Sequence, residues 1–295
     1  MPGNIDLHCH SSASDGTLAP TDVVRLAVRR GLSALSLTDH DTIAGLPDAA
    51  EEAARQNLDF LPGIEISAEF GPPGTMHLLG YGVDIKSPVL LDLTRRLLDA
   101  RNDRNPRIIR RLNEMGIPIT MQQVADEAGG DVLGRPHIAA VLLKTGHVQS
   151  MKQAFDVYLG QGGSAYFDKE RIPASEAIDL IRRSGGLTVL AHAFQLRTEN
   201  DAQLERIVKD LTDLGLAGIE VYHSDHNDAW IAKCSALADR FGLLKTGGSD
   251  FHGTNKKNID LGIAHGHAVP REFYDRLVAR LDSAGAASAK AVPSR

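Results

Sequence analysis

The segment that decides the fold is Asn4-Ile5-Asp6-Leu7-His8-Cys9-His10, followed closely by Asp15. Residues 4–8 are predicted to form a β-strand that continues into the two histidines. Side chains two residues apart in a strand point to the same side, so His8 and His10 can direct two imidazoles at one metal ion. Such a pair is also compatible with two hydrogen-bonded polar side chains, and its meaning depends on the rest of the chain. Cys9 points the other way and is expected to be a small buried side chain.

Short apolar strands alternate with amphipathic helices on both sides of a central block. This alternation predicts a parallel sheet covered by helices, and the number of units predicts an α/β fold with a TIM-like barrel or near-barrel. The predicted strands occupy residues 4–8, 33–38, 58–61, 76–82, 187–191, 217–222 and 243–247. The predicted helices occupy residues 20–30, 46–56, 174–184, 202–214 and 227–241, with one more after Pro270.

The central block has a different pattern. Residues 88–160 contain no convincing strand and are predicted to form several helices, the first near 88–114 with Pro106 as a candidate break. We therefore expect a barrel domain formed by residues 1–87 and 171–285, interrupted by a helical insertion that acts as a substrate-binding cap. The insertion is expected at residues 88–170, and residues 286–295 are expected to be a flexible tail.

The bulk composition limits the possible functions. The chain has 295 residues, 42% apolar and 24% charged, which favours a globular protein with a large core. A formal net charge of −6 argues against a broad basic surface for long nucleic acids. Two distant cysteines, no apparent signal peptide and no membrane-spanning stretch predict a cytoplasmic protein with no membrane association. No obligate protein partner is indicated.

Almost every predicted strand is followed by His, Asp or Glu, at the barrel end where catalytic residues lie. Each of these residues alone is more often structural, but their repetition at one end predicts a shared site. Imidazole with carboxylate suits Mn, Fe or Zn, and nine ligands exceed what one ion binds. We expect two to three divalent ions, with Mn²⁺ favoured over Fe²⁺ or Zn²⁺. The candidate ligands are His8, His10, Asp15, His40, Glu65, His77, His192, Asp250 and His252.

These motifs, in this order over residues 4–85 and 173–270, resemble the PHP (polymerase and histidinol phosphatase) family of the amidohydrolase superfamily. The resemblance implies a distorted (β/α)7 barrel with a trinuclear metal centre. One implied ion would bind His8, His10, Glu65 and Asp250. A second would share Glu65 and bind His77 and His192. A third would bind Asp15, His40 and His252.

The substrate is expected to contact the insertion. Arg135 precedes Pro136 at a predicted helix start, where a helix N-terminus and a guanidinium both favour phosphate. Lys169 and Arg171 are further candidate phosphate ligands, although such residues are often surface cations. His223 is a candidate phosphate ligand or general acid. The arginines between Arg95 and Arg111 are expected to form a solvated helix face. Asp39 and Asp41 are expected to orient His40. Four other histidines are not expected to bind metal (His147, His226, His265, His267).

The resemblance is strongest to stand-alone bacterial members that hydrolyse nucleotides. It implies a metal-dependent phosphoric ester hydrolase that removes the 3′-phosphate of 3′,5′-nucleotide bisphosphates, such as adenosine 3′,5′-bisphosphate, with a metal-activated hydroxide. Arg135 and His223 would hold phosphate. One alternative is a 5′→3′ exoribonuclease acting on short 5′-phosphorylated RNA. Another is a histidinol-phosphate phosphatase, which predicts an acidic pocket for the substrate amine, and the last is a regulatory module without robust catalysis.

Overall fold

The computed structural model describes residues 3–71, 74–128, 133–168 and 170–290, with side chains described up to residue 284. Within these residues the strands form a three-stranded sheet (β1-β2-β3), a five-stranded sheet (β4-β5-β6-β7-β8) and a small β9-β10 hairpin. The strands are β1 Ile5–Cys9, β2 Ala34–Leu37, β3 Asp59–Phe60, β4 Gly63–Ala68, β5 Met76–Tyr81, β6 Leu187–Leu190, β7 Gly218–Tyr222, β8 Leu244–Gly247, β9 Ile263–Ala264 and β10 His267–Ala268.

The helices cover the sheets and fill the central block. Most of them begin and end within a few residues of the predicted bounds, because their apolar faces recur at helical spacing. The helices are α1 Pro20–Arg29, α2 Leu46–Gln56, α3 Pro88–Glu114, α4 Met121–Ala128, α5 Arg135–Lys144, α6 Met151–Ala154 with a π-helical turn at Phe155–Leu159, α7 Ala174–Arg183, α8 Asp201–Asp213, α9 Asp228–Phe241 and α10 Arg271–Lys290. Short 3₁₀ turns lie at Ala193–Leu196 and Gly253–Lys256.

The prediction of a wholly parallel sheet is wrong around β5. This strand pairs antiparallel with both β4 and β6, whereas β1-β2-β3 and β6-β7-β8 are parallel. The sequence prediction placed one strand at 58–61 that runs into Glu65, and so merged β3 with β4. Pro62 lies between them and has no N–H for a ladder, and the chain changes sheets there. Glu65 consequently lies inside β4 and not at a strand end.

Isolated bridges join the two larger sheets. His40, after β2, pairs with Glu65 of β4, and Cys9 at the end of β1 pairs with Phe251 after β8. These contacts bring both sheets around one interior, but the described strands do not form a continuously hydrogen-bonded barrel. The architecture is therefore α/β with two sheets that meet at their edges.

Two separate hydrophobic cores divide the chain. One lies between the sheets and their helices, and the other contains only residues between Ile108 and Ala165. Helix α3 belongs to both cores, because Leu90, Leu93 and Leu97 pack on the first core while its C-terminal half packs in the second. The helix continues through the candidate break at Pro106. Pro106 and the residue one turn earlier are exposed, so water can satisfy the carbonyl group that loses its donor.

The C-terminal helix α10 reaches Lys290, so residues 286–290 of the expected tail are helical. Residues 291–295 lie outside the described residues. None of the described helices combines the length and the apolar character needed to cross a bilayer.

Candidate metal centre

The nine candidate ligands meet at one place, which we call the ligand cluster (His8, His10, Asp15, His40, Glu65, His77, His192, Asp250, His252). Its members come from β1, from the segments after β1, β2, β6 and β8, and from β4 and β5. Six are buried, and Asp15, His40 and His77 are half-buried. Imidazoles and carboxylates that are up to 244 positions apart in the sequence therefore lie together in one interior cluster.

The first part of the ligand cluster surrounds the β1 histidines. His8 Nε2 lies 3.4 Å from Glu65 Oε2 and 3.6 Å from Asp250 Oδ1. His10 Nε2 lies 3.2 Å from each of the same two oxygen atoms. Four ligand atoms thus face one small volume, as the first implied metal site requires.

Glu65 also faces a second part of the ligand cluster. Its Oε1 lies 2.8 Å from His77 Nδ1 and 2.8 Å from His192 Nε2. On the other side, Asp15 Oδ1 lies 3.2 Å from His252 Nε2, and Asp15 Oδ2 lies 4.0 Å from His40 Nε2. Glu65 therefore faces two parts of the ligand cluster, and Asp15 lies near His40 and His252 in a third.

The buried polar atoms test whether cations fit this cluster. Several imidazole nitrogens approach carboxylates without the geometry of a hydrogen bond, and they have no other partner among the described residues. A buried polar atom without a partner costs about 1–3 kcal/mol, so several of them together indicate a missing ligand. Cations bound by the lone pairs of the ligand cluster would account for most of these atoms. Within the cluster they are His8 Nε2, the ring nitrogens of His10, His40 Nδ1, Glu65 Oε2 and His192 Nδ1. His223 Nε2, beside the cluster, also lacks a hydrogen-bond partner.

The two central carboxyl groups are held in the charged form. Burial acts to raise the pKa of Glu65, but the imidazoles around it lower that pKa well below its usual range. Burial likewise acts to raise the pKa of Asp250, and Lys256 and His252 lower it well below the usual range. Both groups are thus available as anionic ligands.

The backbone near β8 is adapted to close packing. A Cβ atom on Gly248 would lie 2.3 Å from the His8 amide nitrogen, so only glycine allows β8 to approach β1 this closely. Asp250 follows with a left-handed φ of 57°, and His192 has a φ of 22°. Non-glycine residues in this region are concentrated at functional sites, because strain there must be supported by the surrounding structure.

Sequence reasoning missed Glu220, which lies in the middle of β7. Its Oε1 lies 2.9 Å from His8 Nδ1, and its Oε2 accepts a 2.7 Å hydrogen bond from the His192 backbone N–H. A carboxylate on Nδ1 leaves the Nε2 lone pair of His8 free for a metal, which is the usual way a ligating histidine is oriented. The available signal was a charged residue inside the apolar strand Gly218–Tyr222.

Asp6 is a second missed carboxylate. It is fully buried and accepts hydrogen bonds from the backbone of His8, Ser249 and Gly262 and from the Ser249 hydroxyl. Asp6 therefore joins β1 to the segment that carries Asp250. Its signal was again a charged position within a predicted buried strand.

Asp39 has a different role from the one expected. It does not orient His40; its carboxylate accepts hydrogen bonds from the Ser11 backbone and hydroxyl and from the Ser14 hydroxyl, which fixes the loop after β1. Asp41 accepts hydrogen bonds from Ser67 and pairs with Arg101 at 3.1 Å. The shape of the site therefore depends on both aspartates through neighbouring loops.

His223 is buried beside the ligand cluster but differs in tautomer from His8 and His252. Its Nδ1 accepts a 3.0 Å hydrogen bond from the Asp225 backbone N–H, so Nδ1 carries no proton. In the neutral ring the proton must then lie on Nε2, which is 3.2 Å from Asp250 Oδ2. His252 has the opposite arrangement, because its Nδ1 bonds to the Asp250 carbonyl and leaves Nε2 as a lone pair. His223 thus presents a proton donor to the site.

A cavity of about 170 Å³ opens next to the ligand cluster. We call it the arginine cavity; it is lined by Asp15, His40, Arg101, Arg104, Gly134, Arg135, Pro136 and Phe155. The expected solvated arginine face is therefore wrong for two of its members, since Arg104 is buried and Arg101 is largely so. Both face inward because α3 continues past the rim of the cluster before it enters the second core.

The other predicted substrate residues differ in their distance from the arginine cavity. Arg135 lines the arginine cavity, and one of its guanidinium N–H groups donates to the Leu159 carbonyl at 3.0 Å. Arg171 is not among the lining residues and pairs with Asp168. Lys169 lies outside the described residues. The four histidines that were not expected to bind metal belong to none of the candidate metal-binding groups found among the described residues.

Comparison with known proteins agrees with this geometry. The family model for the PHP domain matches residues 6–214. A 3′,5′-nucleoside bisphosphate phosphatase of Chromobacterium violaceum is 33% identical, over 94% of this chain and 98% of that protein. The 5′-3′ exoribonuclease Rnm of Escherichia coli is 33% identical, over 84% of each protein.

A solved structure shares the whole fold. The crystal structure of a candidate metal-dependent phosphoesterase from Bifidobacterium adolescentis gives a TM-score of 0.84 at 30% identity, covering 95% of this chain and 98% of that one. The chain is a metal-dependent phosphoesterase, defined by an α/β fold with imidazole and carboxylate groups that can hold metals. More particularly, it belongs to the PHP domain family.

Proposed function

We propose that the protein is a 3′,5′-nucleotide bisphosphate phosphatase that releases the 3′-phosphate, for example from adenosine 3′,5′-bisphosphate. The observation that carries the proposal is the position of the arginine cavity, which shares Asp15 and His40 with the ligand cluster. A phosphoester held at the cluster would therefore have guanidinium groups beside it. The similarity to the Chromobacterium violaceum phosphatase supports the same substrate class.

The nine residues of the ligand cluster would hold two to three divalent ions. The donor set suits Mn²⁺, Fe²⁺ and Zn²⁺, and we propose Mn²⁺. Bound ions would supply charge neutralisation for the phosphoryl group and a water of lowered pKa. We further propose that the two sheets represent one distorted (β/α)7 barrel, with residues 88–170 as the substrate-binding insertion. The separate core of that insertion and the isolated bridges between the sheets support this description.

The side chains have distinct proposed roles. His223, with its proton on Nε2, would donate to a phosphate oxygen or to the departing 3′ oxygen. Arg135 would hold phosphate through the N–H groups that the Leu159 carbonyl does not accept. Lys169 and Arg171 remain predicted contributors where the insertion returns to the barrel.

A screen with added Mn²⁺ tests the proposal by measuring released phosphate or nucleotide from three substrates. The proposed function requires the highest kcat/KM on adenosine 3′,5′-bisphosphate. A preference for a 5′-phosphorylated oligoribonucleotide would favour the second candidate, the exoribonuclease, which the Escherichia coli relative supports. A preference for histidinol phosphate would contradict the proposal, and the cationic lining of the cavity argues against that substrate amine.

Arg135→Ala gives a second, independent test. Since Arg135 contacts the substrate and not the cluster in this proposal, the variant should mostly raise KM for the bisphosphate. Loss of hydrogen bonds to a charged group predicts an increase of about tenfold or more. Activity on bis-p-nitrophenyl phosphate should fall less. Equal losses on both substrates would assign Arg135 a structural role.

A further inference from the structure

Lys256 lies against the ligand cluster, although it was not among the predicted site residues. It ends the 3₁₀ turn that follows the cluster ligand His252. Its ammonium group donates a hydrogen bond to Oδ2 of Asp250, another cluster ligand, and forms an ion pair with it. The Asp250 side chain is almost fully buried, whereas that of Lys256 is 37% exposed. The ammonium group therefore contacts the cluster from the side that is open to solvent.

The two carboxylate oxygens of Asp250 have different neighbours. Oδ1 lies 3.6 Å from His8 Nε2 and 3.2 Å from His10 Nε2, so it faces other candidate ligand atoms. Oδ2 lies 3.2 Å from His223 Nε2 and accepts the hydrogen bond from Lys256. A hydrogen bond to one oxygen of a ligating carboxylate fixes the rotation of the group. The contact with Lys256 thus directs the other oxygen at the two β1 histidines.

The turn that carries Lys256 is itself fixed to the loop after β1. The Thr254 backbone N–H donates a 3.0 Å hydrogen bond to the Thr17 hydroxyl oxygen. The Asn255 side-chain amide donates a 2.8 Å hydrogen bond to the backbone carbonyl of Asp15, which is also a cluster residue. Lys256 is therefore presented to Asp250 by an anchored backbone, unlike a lysine on a freely moving surface loop.

We propose that Lys256 is a positioning residue of the metal centre, which holds Asp250 Oδ2 so that Oδ1 alone is directed at the ion that His8 and His10 would bind. The inference rests on the proposed metal ligands and requires no particular substrate. It also predicts the sign of a measurable change. Removal of a positive charge beside a metal site would by itself strengthen cation binding, whereas loss of a group that orients a ligand weakens it.

The test measures Mn²⁺ binding to the wild type and to Lys256→Met by equilibrium dialysis and elemental analysis, without substrate. Methionine retains an unbranched side chain but has neither the charge nor the hydrogen-bond donor. We expect the half-saturating Mn²⁺ concentration to rise about 10–100-fold, as for other groups that orient metal ligands. Lys256→Arg retains a charged donor and should recover most of the affinity. Unchanged or tighter binding in Lys256→Met would overturn the proposal.

Two controls separate positioning from folding. Lys257→Met removes the neighbouring lysine, which is exposed, and should bind Mn²⁺ like the wild type. At saturating Mn²⁺, Lys256→Met should bind as many ions as the wild type, because every ligand is still present. A lower number of bound ions that excess Mn²⁺ does not restore would assign Lys256 to the fold and overturn the positioning role.

The same experiment distinguishes this inference from the proposed function. A wild-type protein that binds Mn²⁺ but does not cleave adenosine 3′,5′-bisphosphate would contradict the proposed function, and dialysis would still decide the role of Lys256. Wild-type protein that binds no Mn²⁺ would overturn the inference together with the metal centre. Activity on bis-p-nitrophenyl phosphate gives a second measurement, since the loss in Lys256→Met should be large at limiting Mn²⁺ and should mostly disappear at saturation.

Discussion

The ligand cluster and the arginine cavity lie side by side, but they arise from the sequence in different ways. The cluster is formed by strands and the segments that follow them, and β1 with the residue directly after it provides His8 and His10, two positions apart. The cavity combines Arg101 and Arg104 of one helix with Arg135 of another, and these helices meet through the separate core of the insertion. The candidate metal ligands thus follow short local patterns in the sequence, whereas the arginine cavity depends on tertiary packing.

The largest effect is expected from substitutions that disrupt the ligand cluster and leave the arginine cavity intact. His8→Ala removes an imidazole that faces Glu65 and Asp250, and Asp250→Asn removes a carboxylate shared by both β1 histidines. Turnover should fall by more than about 100-fold, because even partners outside the ligand shell contribute about 10–100-fold. Metal content, measured by elemental analysis after incubation with Mn²⁺, should fall in parallel.

His147→Ala provides the matched control, since this histidine lies in the insertion and bonds only locally to Thr145. It should retain full metal content and activity. Full activity in a metal-depleted His8→Ala enzyme would contradict the metal-dependent mechanism.

A smaller effect is expected from Glu220→Gln, which changes an orienting group and not a ligand. The substituted amide can present one oxygen, but it cannot accept hydrogen bonds from both His8 Nδ1 and the His192 backbone N–H in the way that the two carboxylate oxygens do. Mn²⁺ affinity should weaken by about 10–100-fold, with a matching loss of activity at limiting metal. Glu205→Gln, at a surface residue paired with Arg240, is the control.

Saturating Mn²⁺ distinguishes orientation from folding in this variant. If Glu220 positions His8, excess metal should restore most of the activity, because the ligands themselves are intact. A loss that metal does not rescue, accompanied by a lower unfolding temperature, would instead make Glu220 a structural residue of β7.

The ligand cluster could be predicted because strand ends leave a repeated local signal. His40, His192 and Asp250 each follow an apolar run, and parallel strands bring such positions to one edge. Glu65 was found for the right chemical reason but on a wrongly merged strand. The antiparallel direction of β5 could not be predicted, because strand direction depends on how a connection folds back and not on side-chain pattern.

Buried polar residues away from strand ends were harder to recognise. Asp6 and Glu220 are charged positions within buried strands, and their importance appears only when their hydrogen-bond partners are known. Arg104 lies among six other arginines between Arg95 and Arg111, and helical spacing does not distinguish an inward guanidinium from a solvated one. The second core combines the C-terminal half of α3 with residues as far along the chain as Ala165, and this packing is not visible in the helical spacing around Arg104.

The smallest effect is expected from a substitution beside the arginine cavity that leaves its guanidinium groups in place. Asn105→Ala removes the amide that holds Arg104 but keeps all three guanidinium groups. The amide oxygen accepts two hydrogen bonds from Arg104, and their loss, taken together as about 1 kcal/mol of substrate binding, predicts about a fivefold increase in KM for adenosine 3′,5′-bisphosphate. The KM for bis-p-nitrophenyl phosphate should increase less. Asn102→Ala, at an exposed position of the same helix, should change neither KM. If Asn105→Ala matched or exceeded the loss in Arg135→Ala, the amide would be needed for the fold around the arginine cavity and not for the position of one guanidinium group.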